Sequence, residues 1–112
     1  MLKKNLRIRK QKEFDFLYRK GKKLRSKYFI IIFVANDIGF NRFAFIVSTK
    51  VDKRAVVRNK LKRRMREIIK ANYEKIKPNF DFIIIALPQA GKVDFNGLKE
   101  DIERFLSKNS FV

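Results

Sequence analysis

The sequence predicts an α+β fold, a sheet covered by helices. Three observations lead there. Apolar residues recur at helical spacing in three segments, around Phe14, Leu61 and Ile102. Between them lie runs dense in Ile and Phe, the composition of buried strands. Their order is helix, strands, helix, strand, helix, with no internal repeat, low-complexity stretch or linker. A chain of 112 residues suits one domain, 1–112, with a basic N-terminal arm over about 1–10.

The arm carries Arg7, Arg9, Lys10 and Lys12 and is expected to be mobile or to lie along an edge. The first helix is predicted over Gln11 to Lys20, where Phe14, Leu17 and Tyr18 share one face and Gly21 stops it. Lys22 to Arg25 reads as a short strand. Tyr28 to Ala35 is apolar on both faces and reads as a central strand. Asn36-Asp37-Ile38-Gly39 is a turn signal, so Arg42 to Ser48 is expected to pair antiparallel with the strand before it. A basic helix follows, from Lys53 or Val56 to Tyr73, with Asp52 read as its N-cap. Pro78-Asn79 leads into a strand over Phe80 to Leu87. The last helix runs from Asp94, its N-cap, to Lys108, with Phe95, Leu98, Ile102, Phe105 and Leu106 as its core face.

Composition narrows the function. The chain has 29 Lys+Arg against 11 Asp+Glu, a formal net charge of +18. Such an excess repels itself in a compact state, and a polyanionic partner is the simplest reason for it. Yet 46% of the residues are hydrophobic and 12 are Phe, which a disordered basic tail would lack. A folded nucleic-acid binder is expected. The absence of Cys excludes disulfides and zinc fingers, and the absence of His argues against acid/base catalysis by the chain alone. The N-terminus has no apolar signal region. The longest apolar run has eight residues, against the ~20 of a membrane span. A cytoplasmic protein is the default, with neither a membrane partner nor a small-molecule substrate.

The basic helix is the most informative segment. At about 100° per residue, Arg58, Asn59, Lys62, Arg63, Arg66 and Lys70 share an arc of about 140°. Val57, Leu61, Met65 and Ile68 share another of about 80° on the far side. The apolar stripe can dock on a core while five cations and an amide project together. A solvated helix usually interleaves Glu with Lys, but Glu67 falls outside the basic arc and Ala55 falls inside it. Arg can fork onto phosphate, and Asn59 can bond a base edge or a 2′-hydroxyl. Phe14 and Tyr18 are core residues by periodicity, or a stacking platform for unpaired bases if their helix rims a cleft. Glu100, Asp101 and Glu103 read as a solvated face rather than a metal site. No phosphate loop or nucleophile motif is present.

Four segments then carry a resemblance. Phe14-x-x-x-Tyr18-x-x-Gly21 is an aromatic helix ending in Gly. Phe45 to Lys50 is a strand end. Arg58-Asn59, Lys62-Arg63 and Arg66 fit the signature Arg-Asn-x-x-Lys-Arg-x-x-Arg. Asp81 to Ala86 is the strand that follows. In this order, over nearly the whole chain, they resemble the protein subunit of bacterial ribonuclease P. Ile32 stands where some relatives have Tyr, and Thr49 where Lys is frequent.

The resemblance implies an α-β-β-β-α-β-α sandwich with a mixed sheet and a left-handed β-α-β crossover holding the signature helix. It implies a protein that binds a catalytic RNA, which itself removes the 5′ leader of precursor tRNA with Mg²⁺ held mainly by the RNA. It carries the catalytic-RNA contacts to Arg58, Asn59, Lys62, Arg63 and Arg66. It carries the leader cleft to Phe14, Tyr18, Arg9 and Lys10, with Ser48 and Lys50 at the strand end. No catalytic residue and no metal ligand is expected on the protein. The alternatives are a structural, ribosomal-type RNA-binding protein with no role in catalysis, a major-groove DNA binder and a stand-alone nuclease.

Overall fold

Helix α1 spans Gln11–Lys20, and strands β1 (Lys22–Arg25), β2 (Phe29–Ala35) and β3 (Arg42–Ile46) follow it. Helix α2 is Ala55–Asn72, β4 is Phe80–Ala86 and α3 is Phe95–Lys108. This is the expected α-β-β-β-α-β-α order. The structure is a computed structural model and describes residues 3–112, so Met1 and Leu2 of the arm lie outside the described residues.

The strands lie in the order β1-β2-β4-β3. Pairs β1–β2 and β2–β4 are antiparallel, and β3–β4 is parallel. The expected β2–β3 hairpin is therefore wrong, because β4 lies between the two. The turn explains why. Asn36 N donates to Asn79 O at 2.8 Å, and Gly39 N to Asn79 Oδ1 at 2.8 Å. Asn36 Nδ2 also donates to Asp81 Oδ1 at 2.9 Å. The turn is stitched to the start of β4 rather than closing a two-stranded ladder. Adjacent parallel strands need a long connection, and α2 supplies it between β3 and β4.

Helices cover both faces of the sheet. On one face Phe29, Ile31, Phe43, Phe82 and Ile84 pack with Leu61, Met65, Ile68 and Ile69 of α2 and Leu98, Ile102 and Leu106 of α3. The Phe43 and Phe82 rings stack with centroids 4.9 Å apart. On the other face, Leu17 of α1 and Ile8 of the arm pack on Ile32, Ala44 and Ile83. The arm is edge-lying: Ile8 N donates to Phe43 O at 2.9 Å beside an Arg7–Phe43 bridge, so it extends the sheet past β3.

Local chemistry places the helix ends. Asp94 caps α3 as expected, accepting from Gly97 N at 2.8 Å. Asp52 does not cap α2. Arg54 holds that position, and Asp52 Oδ1 instead accepts from Arg54 N at 2.8 Å. Gly21 ends α1 with an extended φ of −71°, so a left-handed backbone is not the reason for glycine there. A Cβ would sit 2.5 Å from Leu17 O and 2.6 Å from Ile32 Cγ2. Asp101 is not part of a solvated face. It is buried, and it accepts from Ser26 Oγ at 2.7 Å, Lys27 N at 3.0 Å and Tyr28 N at 2.8 Å. Burying a carboxylate is tolerated where donors satisfy it, and here they anchor the β1–β2 turn to α3.

Candidate nucleic-acid interface

The cations of α2 divide into two rows. The core takes Leu61, Met65, Ile68, Ile69 and Asn72. Ile69 projects inside the basic arc yet is fully buried, so that arc is not wholly solvent-facing as expected. Arg58, Lys62 and Arg66, one turn apart, are half-buried. Asn59, Arg63 and Lys70 are exposed outside them.

The inner row is held in place. Arg58 Nη1 donates to Lys53 O at 2.7 Å and Asp52 O at 3.1 Å, tying the segment before α2 to the helix. The Arg66 guanidinium lies over the Phe45 ring, 6.0 Å from its centroid. Its Nε is buried with no hydrogen-bond partner among the described residues. Burial first, and then the charge of Arg7, push its pKa down, and no carboxylate counters them. An anion placed against this row would remove that penalty.

The lead-in to α2 is a tight turn. Lys50 N donates to Ser48 Oγ at 3.3 Å, and Val51 N to Ser48 O at 3.1 Å. Ser48, Thr49 and Lys50 are all exposed. Beyond them, Arg54 binds Asp52 at 3.0 Å, and its hydrogen bonds hold the Asp52 carboxyl down to about 2. Charges of both signs therefore meet at the helix start, where Asp52 also feels Arg58, whereas no carboxylate counters Arg66 further along the row.

A cleft lies beside α1. Strand register puts Ile32, Ile83 and Ala44 in one row across the sheet, and Ile30, Ile85 and Ile46 in the next. The first row is buried under α1, whereas the second is only half-buried, so the helix covers one and leaves the other as an apolar floor. Ile32, in the covered row, is 1% exposed and is not a stacking surface. Phe14 and Tyr18 separate. Phe14 is half-buried against the Leu17–Ile32–Ile83 cluster, while Tyr18 is 50% exposed. Partial burial still pushes the Tyr18 hydroxyl pKa up. Arg9 and Lys10 are exposed just ahead of α1.

The helix is clamped to the sheet. Arg42 Nε and Nη2 reach the two oxygens of Asp81 at 3.0 and 2.7 Å, and Nη1 reaches Glu13 Oε2 at 2.7 Å. Burial alone would raise Glu13, but the bond from Arg42, with help from backbone N–H groups, brings its pKa down. Arg42 itself is raised, first by its bonds to Asp81 and, against its burial, by the bond to Glu13.

A family model described as Ribonuclease P matches residues 2–110. The chain belongs to the ribonuclease P protein family. It is 40% identical over 109 residues to the ribonuclease P protein component of Fusobacterium nucleatum, covering 94% of this chain and 97% of that one. It is 35% identical over 108 residues to that of Syntrophomonas wolfei, covering 96% and 90%. Among solved structures it is similar to the Staphylococcus aureus RNase P protein, with TM-score 0.85, 30% identity and coverage of 95% and 96%. The Thermotoga maritima protein gives TM-score 0.83 at 31% identity, covering 91% and 96%. A ribonuclease P protein is the protein subunit of a ribonucleoprotein endoribonuclease, so an RNA partner follows.

Sequence reasoning missed the Arg42 clamp and the isoleucine floor. The floor had a signal. Ile30, Ile46 and Ile85 each stand two residues from a residue of the buried row, and so on the same sheet face. The clamp had none, since Glu13, Arg42 and Asp81 are far apart in the chain.

Proposed function

We propose that this chain binds the catalytic RNA of ribonuclease P through Arg58, Asn59, Lys62, Arg63 and Arg66. The 5′ leader of precursor tRNA lies in the cleft of Phe14 and Tyr18, with Arg9, Lys10, Ser48 and Lys50 around it. The protein thereby promotes removal of the leader to give the mature tRNA 5′ end. The observation that carries the reading is Arg66 in the inner row of α2, held against Phe45 with no carboxylate countering its charge.

The proposal divides the labour between protein and RNA. Among the described residues no group of three or more His, Cys, Asp or Glu is placed to hold a metal ion. In this proposal Mg²⁺ is held mainly by the RNA, where it supplies the activation of water. The protein's residues offset repulsion between two RNAs, so less metal is needed. Tyr18 and the isoleucine floor accept unpaired bases by stacking and apolar contact, a sequence-tolerant mode. No helix among the described residues is long and apolar enough to cross a membrane; a cytoplasmic setting is part of the proposal.

The test is cleavage of precursor tRNA at low Mg²⁺ by catalytic RNA alone, protein alone and both together. The proposal expects cleavage to a 5′-phosphate only in the mixture. A protein that adds nothing to a competent RNA would overturn it.

A further inference from the structure

The β1–β2 turn and the last turns of α3 enclose a concave pocket of about 390 Å³. Lys27, Arg104 and Lys108 line it, with Ser26 between them and Leu24 and Phe105 as an apolar wall. Its one carboxylate, Asp101, is buried under three bonds from the turn and pairs with Arg104 at 3.7 Å, while Arg104 stays 62% exposed. The carboxylate offsets one of the three cations, so the pocket keeps a positive excess. Lys108 has no hydrogen bond or ion pair among the described residues. Lys27 sits over the Tyr28 ring, with Nζ 5.4 Å from the centroid, a contact that leaves its ammonium free to donate.

We infer that this pocket is a second RNA contact, a phosphate site that takes the sugar–phosphate backbone. Cations from two elements converge on one concavity, and the apolar wall suits a ribose or base edge. An acidic protein segment would present the same sign of charge. The wider basic surface favours RNA, since a polyanion bound here continues onto other cations of a +18 chain. The site is distinct from the α2 row, although Arg25 borders both it and the cleft. It lies at the β1 edge of the sheet, whereas Arg66 packs on β3, at the other edge. Three strand spacings, about 14 Å, separate the edges, so one phosphate cannot serve both. The inference does not depend on which RNA occupies the α2 face or the cleft.

The test uses the full chain and an unstructured single-stranded RNA carrying no tRNA or leader sequence. Amide resonances of Lys27, Arg104 and Asn109 report the pocket directly. Affinity is measured against salt for the native protein, for Arg104→Gln/Lys108→Gln, and for Lys75→Gln/Lys77→Gln. The last removes the same charge from exposed positions outside the pocket. Arg25 also lines the pocket but is left unchanged, because its register beside Ile30 places it at the cleft as well. Two lost phosphate contacts should lower the salt slope by about 1.4, at about 0.7 each for single strands. The control pair should change it by less than half of that, and the three amides should shift with RNA. Equal slopes for the two variants would overturn the inference. So would pocket amides that stay still with RNA and move only with an acidic peptide.

Discussion

Arg42→Ala should weaken the hold of α1 on the sheet while Leu17 keeps it docked. The guanidinium makes two bonds to Asp81 and one to Glu13, and the three side chains keep only 20%, 10% and 24% of their exposure. Truncation leaves Asp81 buried with Asn36 Nδ2, at 2.9 Å, as its remaining side-chain donor. Removing one partner of a buried pair costs about 3–5 kcal/mol. The residual exposure of this triad brings the expectation to about 2–3 kcal/mol, since water can reach part of it. In a domain this small that lowers Tm by roughly 10–20 °C. Urea unfolding followed by circular dichroism measures it, with a lowered midpoint and an unchanged slope. A cycle with Glu13→Gln then separates the α1 tether from the bond to Asp81. Arg42→Ala within about 0.5 kcal/mol of the native protein would refute the clamp, because that is the range of an ordinary surface substitution.

Three further outcomes follow from the same geometry. Arg66→Ala should weaken binding of catalytic RNA by about 1.5–3 kcal/mol, roughly ten- to a hundredfold in Kd, without changing the circular dichroism spectrum; filter binding reads it. The Glu13 pKa is lowered, so its contribution is fully present above its unfolded pKa and is lost as pH falls through the folded one. The stability gap between the native protein and Glu13→Gln should therefore close in acid, below the ordinary carboxylate range, in urea titrations at successive pH values. Gly21→Ala should destabilise by about 1–3 kcal/mol from the clash with Leu17 O and Ile32 Cγ2. A neutral or stabilising result in thermal unfolding would mean that the α1–β2 contact is looser than described.

Elements were legible in this sequence where one segment carries its own periodicity. Helix α1 begins and ends where Phe14, Leu17, Tyr18 and Gly21 placed it, and Asp94 caps α3. Strand pairing was not legible. The residues 36–39 turn has hairpin composition, but its bonds go to Asn79 and Asp81, about forty positions on. Nothing local to the turn encodes that. Asp101 is a different case. It stands three residues after Leu98 and four before Phe105, on the buried face of α3, and spacing placed it in the core although its charge argued for solvent. The basic row of α2 was legible in membership but not in orientation. Burial of Ile69 and Asn72 turns the helix, so that Arg58, Lys62 and Arg66 are half-buried, Arg66 against Phe45, while Asn59 and Arg63 are exposed.

The proposed function has two separate surfaces of this small protein engaging two RNAs. The most direct measurement is the affinity of the assembled holoenzyme for precursor tRNA with a long leader and with a leader trimmed to one nucleotide. It is made for the native protein, Arg66→Ala and Tyr18→Ala, alongside the affinity of each protein for catalytic RNA. The account predicts a crossover. Tyr18→Ala should erase the advantage of the long leader while leaving catalytic-RNA binding intact, and Arg66→Ala should do the reverse. Both variants failing equally in both measurements would contradict it, and would reduce the two surfaces to one undivided basic face.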